Sequence, residues 1–208
     1  MRIARPLRTI CVGAALIFGV TSIPTSQARA VEATSDEITW LPCGPIECGK
    51  ILVPVTKGLS TSERIQISLY RRKATSGSSP RTLLLLPDRE YGSDARTLAE
   101  KAPLTFGTAI TKFNVISVAP RGAIDAVMPA GSETNIGTLA MADDVDAVRE
   151  ALHLKKVSII GWGSGATTAA ALIMQNPTRV QAAVLDTPID PSTSLVKQAP
   201  QHIAATKL

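Results

Sequence analysis

The sequence predicts an α/β domain built on a mostly parallel β-sheet that helices cover. Apolar runs typical of strands alternate along the chain with segments of helical periodicity, which is the pattern of strand–helix–strand units. The run Thr82–Leu86 (TLLLL) is apolar without alternation, as expected for a central strand covered on both faces. The part of the chain that follows the first 30 residues is long enough for one domain with a sizeable core.

Residues 1–30 predict a secretory signal peptide. Three arginines precede the apolar run Ile10–Val20, and Ala28-Arg29-Ala30 after it is an A-x-A cleavage signal. A helix that spans a bilayer needs about 20 apolar residues, so Ile10–Val20 is too short to be one. We expect cleavage after Ala30, export to the cell envelope or the medium, and no membrane attachment afterwards.

The positive charge of the chain comes largely from this signal. The net charge is +5, and residues 1–30 carry four arginines and no acidic residue. The rest of the chain has no basic patch with interleaved aromatic residues, which nucleic-acid binding would require. We therefore expect no nucleic-acid partner.

Two cysteines remain after the signal, in the segment PCGPIECG. In an exported chain, Cys43 and Cys48 predict one disulfide that closes a short loop. A structural zinc site needs four ligands, and the two histidines, His153 and His202, are distant in sequence. We expect neither a metal nor a cofactor.

Six strands are predicted, and the first two form a hairpin. The strands are Ile51–Val55, Ile65–Tyr70, Thr82–Leu86, Phe113–Ala119, Val157–Ile160 and Val180–Leu185. The second strand alternates apolar with polar residues, as half-buried strands do. Because no helix separates the first two strands, we expect them to pair antiparallel at the edge of the sheet.

Helices are predicted over Ser93–Lys101, Ile136–Leu152 and Ala166–Met174. The second has the clearest pattern. Four residues fall on one face at helical spacing, namely Met141, Val145, Val148 and Leu152. Three acidic residues fall on the opposite face, namely Asp143, Asp146 and Glu150.

A glycine-rich turn joins a strand to a helix in VSIIGWGSGATTAAAL, Val157–Leu172. In the G-x-S-x-G nucleophile elbow, the middle residue of such a turn is the attacking serine. Here the middle residue of Gly161–Gly165 is Gly163, and Ser164 comes one place late.

The same turn also fits a dinucleotide-binding pattern. Gly161, Gly163 and Ala166 satisfy G-x-G-x-x-[GA], and Asp186 ends the next strand near the expected acidic position. However, the turn follows about five strands, whereas this fingerprint normally follows the first strand of its fold. An exported protein also meets little nicotinamide cofactor.

Four segments in a shared order carry a family resemblance. They are WLPCGPIECGKILVPV (Trp40–Val55), FNVISVAPRG (Phe113–Gly122), TLAMADDVDAVREALHLKKVSIIGWGSG (Thr138–Gly165) and VLDTPIDP (Val184–Pro191). With them the chain resembles the secreted bacterial α/β-hydrolases of the tripeptidyl-aminopeptidase and proline-iminopeptidase type. The resemblance implies a partial α/β-hydrolase fold, with residues 31–208 as the N-terminal part of the domain and about six strands.

The resemblance puts the nucleophile position on Gly163. Glycine has no side chain to attack with, and it relaxes the strained elbow. Ser164 is the alternative nucleophile, but we expect its hydroxyl to point elsewhere and to cap the following helix. Relatives carry a glycine-rich oxyanion loop where this chain has Asp88, Arg89 and Glu90, and we expect the two carboxylates to crowd and repel an oxyanion.

The sequence shows no clear triad acid or triad histidine after the glycine turn. In this fold the acid and the histidine follow the nucleophile in chain order. Asp186 and Asp190 come too early, and His202 lies in the tail. A triad of Ser164, Asp186 and His202 fits chain order alone. We interpret His153 as structural, and we interpret Arg121 in Pro120-Arg121-Gly122 as pairing with a nearby carboxylate rather than facing an active site.

The sequence thus favours a secreted, catalytically degenerate relative of these peptidases. One alternative is an active serine hydrolase that uses Ser164 or a separate C-terminal half, and another is a dinucleotide-binding domain. The last predicted strand, Val180–Leu185, would lie at an open edge of the sheet, where a peptide or protein partner could pair with it.

Overall fold

The computed structural model describes residues 38–59, 62–88, 94–123, 126, 128–132 and 135–188. These residues belong to one compact unit, Ala33–Leu208. The predicted signal peptide, Arg89, Glu90, Asp190 and His202 lie outside the described residues. Among the described helices, none combines the length and the apolar character that crossing a membrane requires.

The described residues form a seven-stranded sheet with the order β1-β2-β3-β5-β4-β6-β7. The strands are β1 Leu41–Pro42, β2 Glu47–Pro54, β3 Arg64–Arg72, β4 Arg81–Leu86, β5 Phe113–Val118, β6 Val157–Trp162 and β7 Val180–Asp186. The helices are α1 Ala95–Phe106, α2 Thr138–Ala151 and α3 Ser164–Gln175, with 3₁₀ turns at Gly107–Lys112 and Pro177–Arg179.

The strand pairing gives a mixed sheet and confirms the predicted parallel pairing of its central strands. β4 pairs parallel with β5 and with β6, and β6 pairs parallel with β7. The predicted hairpin is β2–β3, and β3 then pairs antiparallel with β5. The two-residue strand β1 was not predicted, because so short a run carries no periodicity.

The central strand β4 divides the core into two layers. Leu84 and Leu86 pack into a cluster with residues of α2 and α3. Leu83 and Leu85 point to the opposite face, into a cluster that includes Ala102 of α1. This alternation explains why all four consecutive leucines of β4 are buried.

Helix α2 buries Met141, Val145 and Val148, as its apolar face predicts. The sequence pattern groups Asp146 with the polar residues, yet the structure buries this side chain. Its carboxylate accepts hydrogen bonds from Arg149 and from Arg179, so the buried charge is paired. Arg179 follows α3, and this ion pair therefore ties α2 to the end of α3.

Strand β7 lies at one edge of the described sheet and pairs there with β6. Gln181 to Val184 are exposed on both faces, although parallel strands are ordinarily covered on both. The expectation of a partner at this edge stays a prediction.

Asp94 caps α1, and replacing it with alanine is expected to lower the free energy of unfolding by about 1 kcal/mol at pH 7. Its Oδ1 accepts a hydrogen bond of 2.7 Å from the Thr97 N–H, and this backbone hydrogen bond holds the pKa of Asp94 below its ordinary value. A lowered folded-state pKa means that the ionised cap stabilises the protein above the unfolded pKa and loses this effect as pH falls.

The difference between native protein and Asp94→Ala should therefore shrink in acid. Urea unfolding at pH 7 and at about pH 3 checks this expectation. Asp94→Asn is the matched control, because asparagine caps a helix without titrating. A difference that is as large in acid as at pH 7 would contradict the role of the ionised carboxylate.

Candidate functional site

Gly163 alone joins β6 to α3. Its backbone has φ +49° and ψ −116°, a conformation that residues with a side chain rarely adopt. The Gly163 N–H donates to the Asp186 carbonyl at 2.9 Å, so the turn is fastened to the end of β7. A strand, a single residue at positive φ and a helix in this order are the geometry of a nucleophile elbow.

Two more glycines let the turn close tightly. A Cβ on Gly165 would overlap the Leu86 carbonyl and lie 2.7 Å from the Pro87 oxygen. A Cβ on Gly161 would lie 2.7 Å from the Ala166 nitrogen. Gly165 therefore lets α3 begin directly against the carboxyl end of β4, where the loop that carries Asp88 starts.

The carboxylate of Asp88 lies inside this turn. Its Oδ1 accepts a hydrogen bond of 2.9 Å from Ser164 Oγ and one of 3.3 Å from the Ser164 N–H. A Cβ built on Gly163 would overlap the carboxylate and would lie 2.8 Å from Oδ1. The space that a side chain at position 163 needs is thus filled by Asp88.

The structure corrects the expected role of Ser164. The N-cap of α3 is Gly163, and Ser164 is the first helical residue. Its hydroxyl donates to Asp88 instead of accepting from the amides of the first helical turn. The expectation that Asp88 crowds the oxyanion position fits this arrangement, since the residue after the nucleophile supplies an oxyanion-hole N–H in this fold.

The other candidate residues lie in different surroundings. Asp186 ends β7, is exposed, and accepts a hydrogen bond of 2.9 Å from the Thr187 hydroxyl. His153 follows α2 with a φ of +55° and lines a cavity of about 350 Å³ beside β2, together with Arg64 and Glu150. The described contacts join Ser164 to Asp88.

Arg121 is confirmed as the partner of a carboxylate. It is 2% exposed, and its Nε and Nη2 donate to Asp144 of α2 at 2.7 and 2.6 Å. Its Nη1 also donates to the carbonyls of Val55 and Asn135. Burial raises the pKa of the Asp144 carboxyl, and the hydrogen bonds from Arg121 oppose this rise. The pair ties three loops to α2 and leaves Arg121 no group to offer a ligand.

The predicted disulfide is present. Cys43 and Cys48 are bonded with their Cα atoms 5.7 Å apart. Cys48 belongs to β2 and pairs with Leu41 of β1, so the bond closes the turn between these strands. The disulfide braces the beginning of the described chain and does not contribute to the glycine turn.

Comparison with known proteins agrees with this geometry. A family model for the alpha/beta hydrolase fold matches residues 92–205. The serine protease Hip1 of Mycobacterium tuberculosis is 23% identical in an alignment that covers 88% of this chain and 46% of the relative. Hip1 of Mycobacterium bovis gives the same values. The chain therefore spans about half the length of these curated relatives.

Solved structures share the fold. A hydrolase from Pseudomonas aeruginosa superposes with a TM-score of 0.52 at 21% identity, covering 74% of this chain and 52% of that chain. A variant of the Vigna radiata epoxide hydrolase gives a TM-score of 0.53 at 17% identity, covering 75% of this chain and 45% of that chain. The family model matches more than half of the chain, and the strand order and the turn at Gly163 agree with it. This protein belongs to the α/β-hydrolase fold family.

Proposed function

We propose that this protein is a catalytically degenerate relative of the secreted α/β-hydrolase peptidases and that it acts by binding. One observation carries the proposal: the elbow residue is Gly163, and the carboxylate of Asp88 fills the space beside it. The distant similarity to the serine protease Hip1 supports a peptidase ancestry, and a peptide is accordingly the proposed class of ligand. The aminopeptidase type of that ancestry rests on the sequence motifs.

The chemistry of acyl transfer explains why this arrangement argues against catalysis. A nucleophile must project from the elbow, and its attack creates an oxyanion that backbone N–H groups stabilise. Gly163 offers no nucleophile. The Ser164 N–H, which would stabilise the oxyanion, already donates to a carboxylate. A second negative charge at this position would be repelled.

An active hydrolase that uses Ser164 is the competing function. The observation that favours it is the hydrogen bond of 2.9 Å between Ser164 Oγ and Asp88 Oδ1, because a base beside a hydroxyl can activate it. The same carboxylate, however, contacts the Ser164 N–H and so opposes the oxyanion that the attack would form.

The dinucleotide hypothesis gains no support from the fold. A pyrophosphate in a glycine-rich loop binds to backbone N–H groups at the start of the helix. Asp88 already contacts the Ser164 N–H at that point, and its charge would repel a phosphate.

We also propose that the protein is exported. The basic and apolar segment in residues 1–30 supports export, as does the Cys43–Cys48 disulfide, because disulfides persist mainly in oxidising compartments.

A fluorophosphonate probe tests the proposed loss of catalysis. We expect no labelling of the folded full-length chain. The hydroxyl of Ser164 contacts a carboxylate that could act as a base, but the same carboxylate occupies the position of the oxyanion. Ser164→Ala and Ser158→Ala serve as matched variants, and a thermal unfolding transition establishes that each protein is folded. Labelling of the native protein and of Ser158→Ala that disappears in Ser164→Ala would show an active nucleophile, and the proposal would then be wrong.

A further inference from the structure

The contact between Asp88 and the turn joins distant parts of the chain. Asp88 follows β4, whereas Ser164 lies 76 residues later at the start of α3. One oxygen, Oδ1, accepts from both the hydroxyl and the N–H of Ser164. The other oxygen, Oδ2, lies where a Cβ of residue 163 would project. A single carboxylate thus occupies the position of a nucleophile side chain and accepts from the Ser164 N–H, which would stabilise an oxyanion.

The start of α3 favours an anion at this point. The first N–H groups of a helix have no acceptor within the helix, and the aligned peptide dipoles place partial positive charge there. In an elbow that is open to solvent, this is where a reacting oxyanion would be stabilised. Here the anion comes from the protein itself.

We propose that Asp88 is an internal anionic ligand of the glycine turn and that it fills the oxyanion position. Its carboxylate occupies the space that a side chain at position 163 would need, and it competes with an external oxyanion, such as a carboxylate or phosphonate, for the Ser164 N–H. This inference deepens the proposed function and rests on it, because it assigns the group that occupies the oxyanion position, whereas the proposed function concerns the loss of catalysis. It follows that a serine restored at position 163 would displace the Asp88 carboxylate and break its contact with Ser164.

A stability cycle tests the steric part. Thermal unfolding is measured for the full-length native protein, Gly163→Ala, Asp88→Ala and the double variant. The backbone strain of alanine at φ +49° is common to both backgrounds and cancels. We expect Gly163→Ala to lower the Tm by about 5 °C more when Asp88 is present than when residue 88 is alanine. Equal losses in the two backgrounds would overturn the proposal.

A second variant guards against a failure to fold. If Asp88→Ala does not give a folded protein, Asp88→Ser takes its place, because serine keeps an acceptor for Ser164 in a smaller volume. Gly163→Ala should again lower the Tm less in the Asp88→Ser background than in the native protein. If the Asp88→Ala single variant fails to fold while the Asp88→Ala/Gly163→Ala double variant folds, this outcome also supports the proposal, because the methyl group added at position 163 would fill the space that the Asp88 carboxylate had occupied.

Acetate tests the anion part without using a reactive serine. We expect sodium acetate to raise the Tm of Asp88→Ala in a saturable way, relative to sodium chloride at the same ionic strength. The native protein should not respond, because its site is filled. Asp94→Ala is the matched control, since it loses a carboxylate at the start of α1 instead. The same acetate response in all three proteins, or none in Asp88→Ala, would overturn the assignment of Asp88 as the anion at α3. Fluorophosphonate labelling of Ser164 would overturn the proposed function, whereas the stability cycle and the acetate response test the contact of Asp88 independently of catalysis.

Discussion

Replacing Arg121 with methionine is expected to lower the free energy of unfolding by about 3–5 kcal/mol, because it removes one partner of a buried ion pair. Arg121 and Asp144 are 2% and 4% exposed. The substitution leaves the Asp144 carboxylate without its two hydrogen bonds and also removes the donor to Val55 and Asn135. An unpaired charge and unsatisfied carbonyl groups in the interior are both costly.

Arg96→Met is the matched control for this prediction. Arg96 also pairs with a carboxylate, that of Glu100 at 2.9 Å, but its side chain is 51% exposed. We expect this variant to lose much less stability than Arg121→Met, because exposed ion pairs contribute little. Urea unfolding at pH 7 measures both variants. Similar losses for Arg121→Met and Arg96→Met would contradict the expectation that breaking a buried ion pair costs more than breaking an exposed one.

The pH dependence of Arg121→Met follows from the pKa of Asp144. Burial raises this pKa, and removing Arg121 removes the influence that opposes the rise. A folded protein with the higher pKa binds more protons than the unfolded chain, so its stability falls as pH rises. Arg121→Met should therefore lose less stability at pH 5 than at pH 7, relative to the native protein. A loss that is greater at pH 5 would contradict this assignment.

The sequence predicts most of the fold because hydrophobic patterns report burial within a single element. The leucines of β4, the apolar face of α2 and the hairpin of β2 and β3 all follow from such patterns. The turn at Gly163 was also predicted, since a strand, a glycine and a helix are adjacent in sequence. Local signals of this kind need no knowledge of the partner element.

Contacts between distant segments were harder to predict. The sequence suggested that Asp88 would crowd the oxyanion position, but not that its carboxylate would contact Ser164. The N-cap of α3 was misassigned by one residue, because Gly163-Ser164-Gly165 offers three adjacent positions for the helix to begin. Asp146 was grouped with the polar residues, because only the folded chain brings Arg179 to it.

Gly165→Ala is expected to lower the free energy of unfolding by about 3 kcal/mol or more, at the upper end of the range for overpacked cores. The added Cβ would overlap the Leu86 carbonyl and would lie 2.6 Å from the Leu86 carbonyl carbon. These are backbone atoms of a buried strand, so they cannot move aside as a flexible side chain does. Gly137→Ala is the matched control, because a Cβ there meets nothing within 4 Å. Urea unfolding should give it a loss of about 1 kcal/mol or less.

The same substitution connects the packing of α3 with the position of Asp88. Gly165 lets α3 begin against the end of β4, close to the loop from which Asp88 contacts Ser164. A methyl group at residue 165 should push the helix away and lengthen the contact between the carboxylate and Ser164. We expect Gly163→Ala to lower the Tm more when Asp88 is present than when residue 88 is alanine, and this extra loss of Tm should become smaller in a Gly165→Ala background. If the extra loss of Tm is unchanged, the position of Asp88 is set by its own loop and not by the approach of α3 to β4.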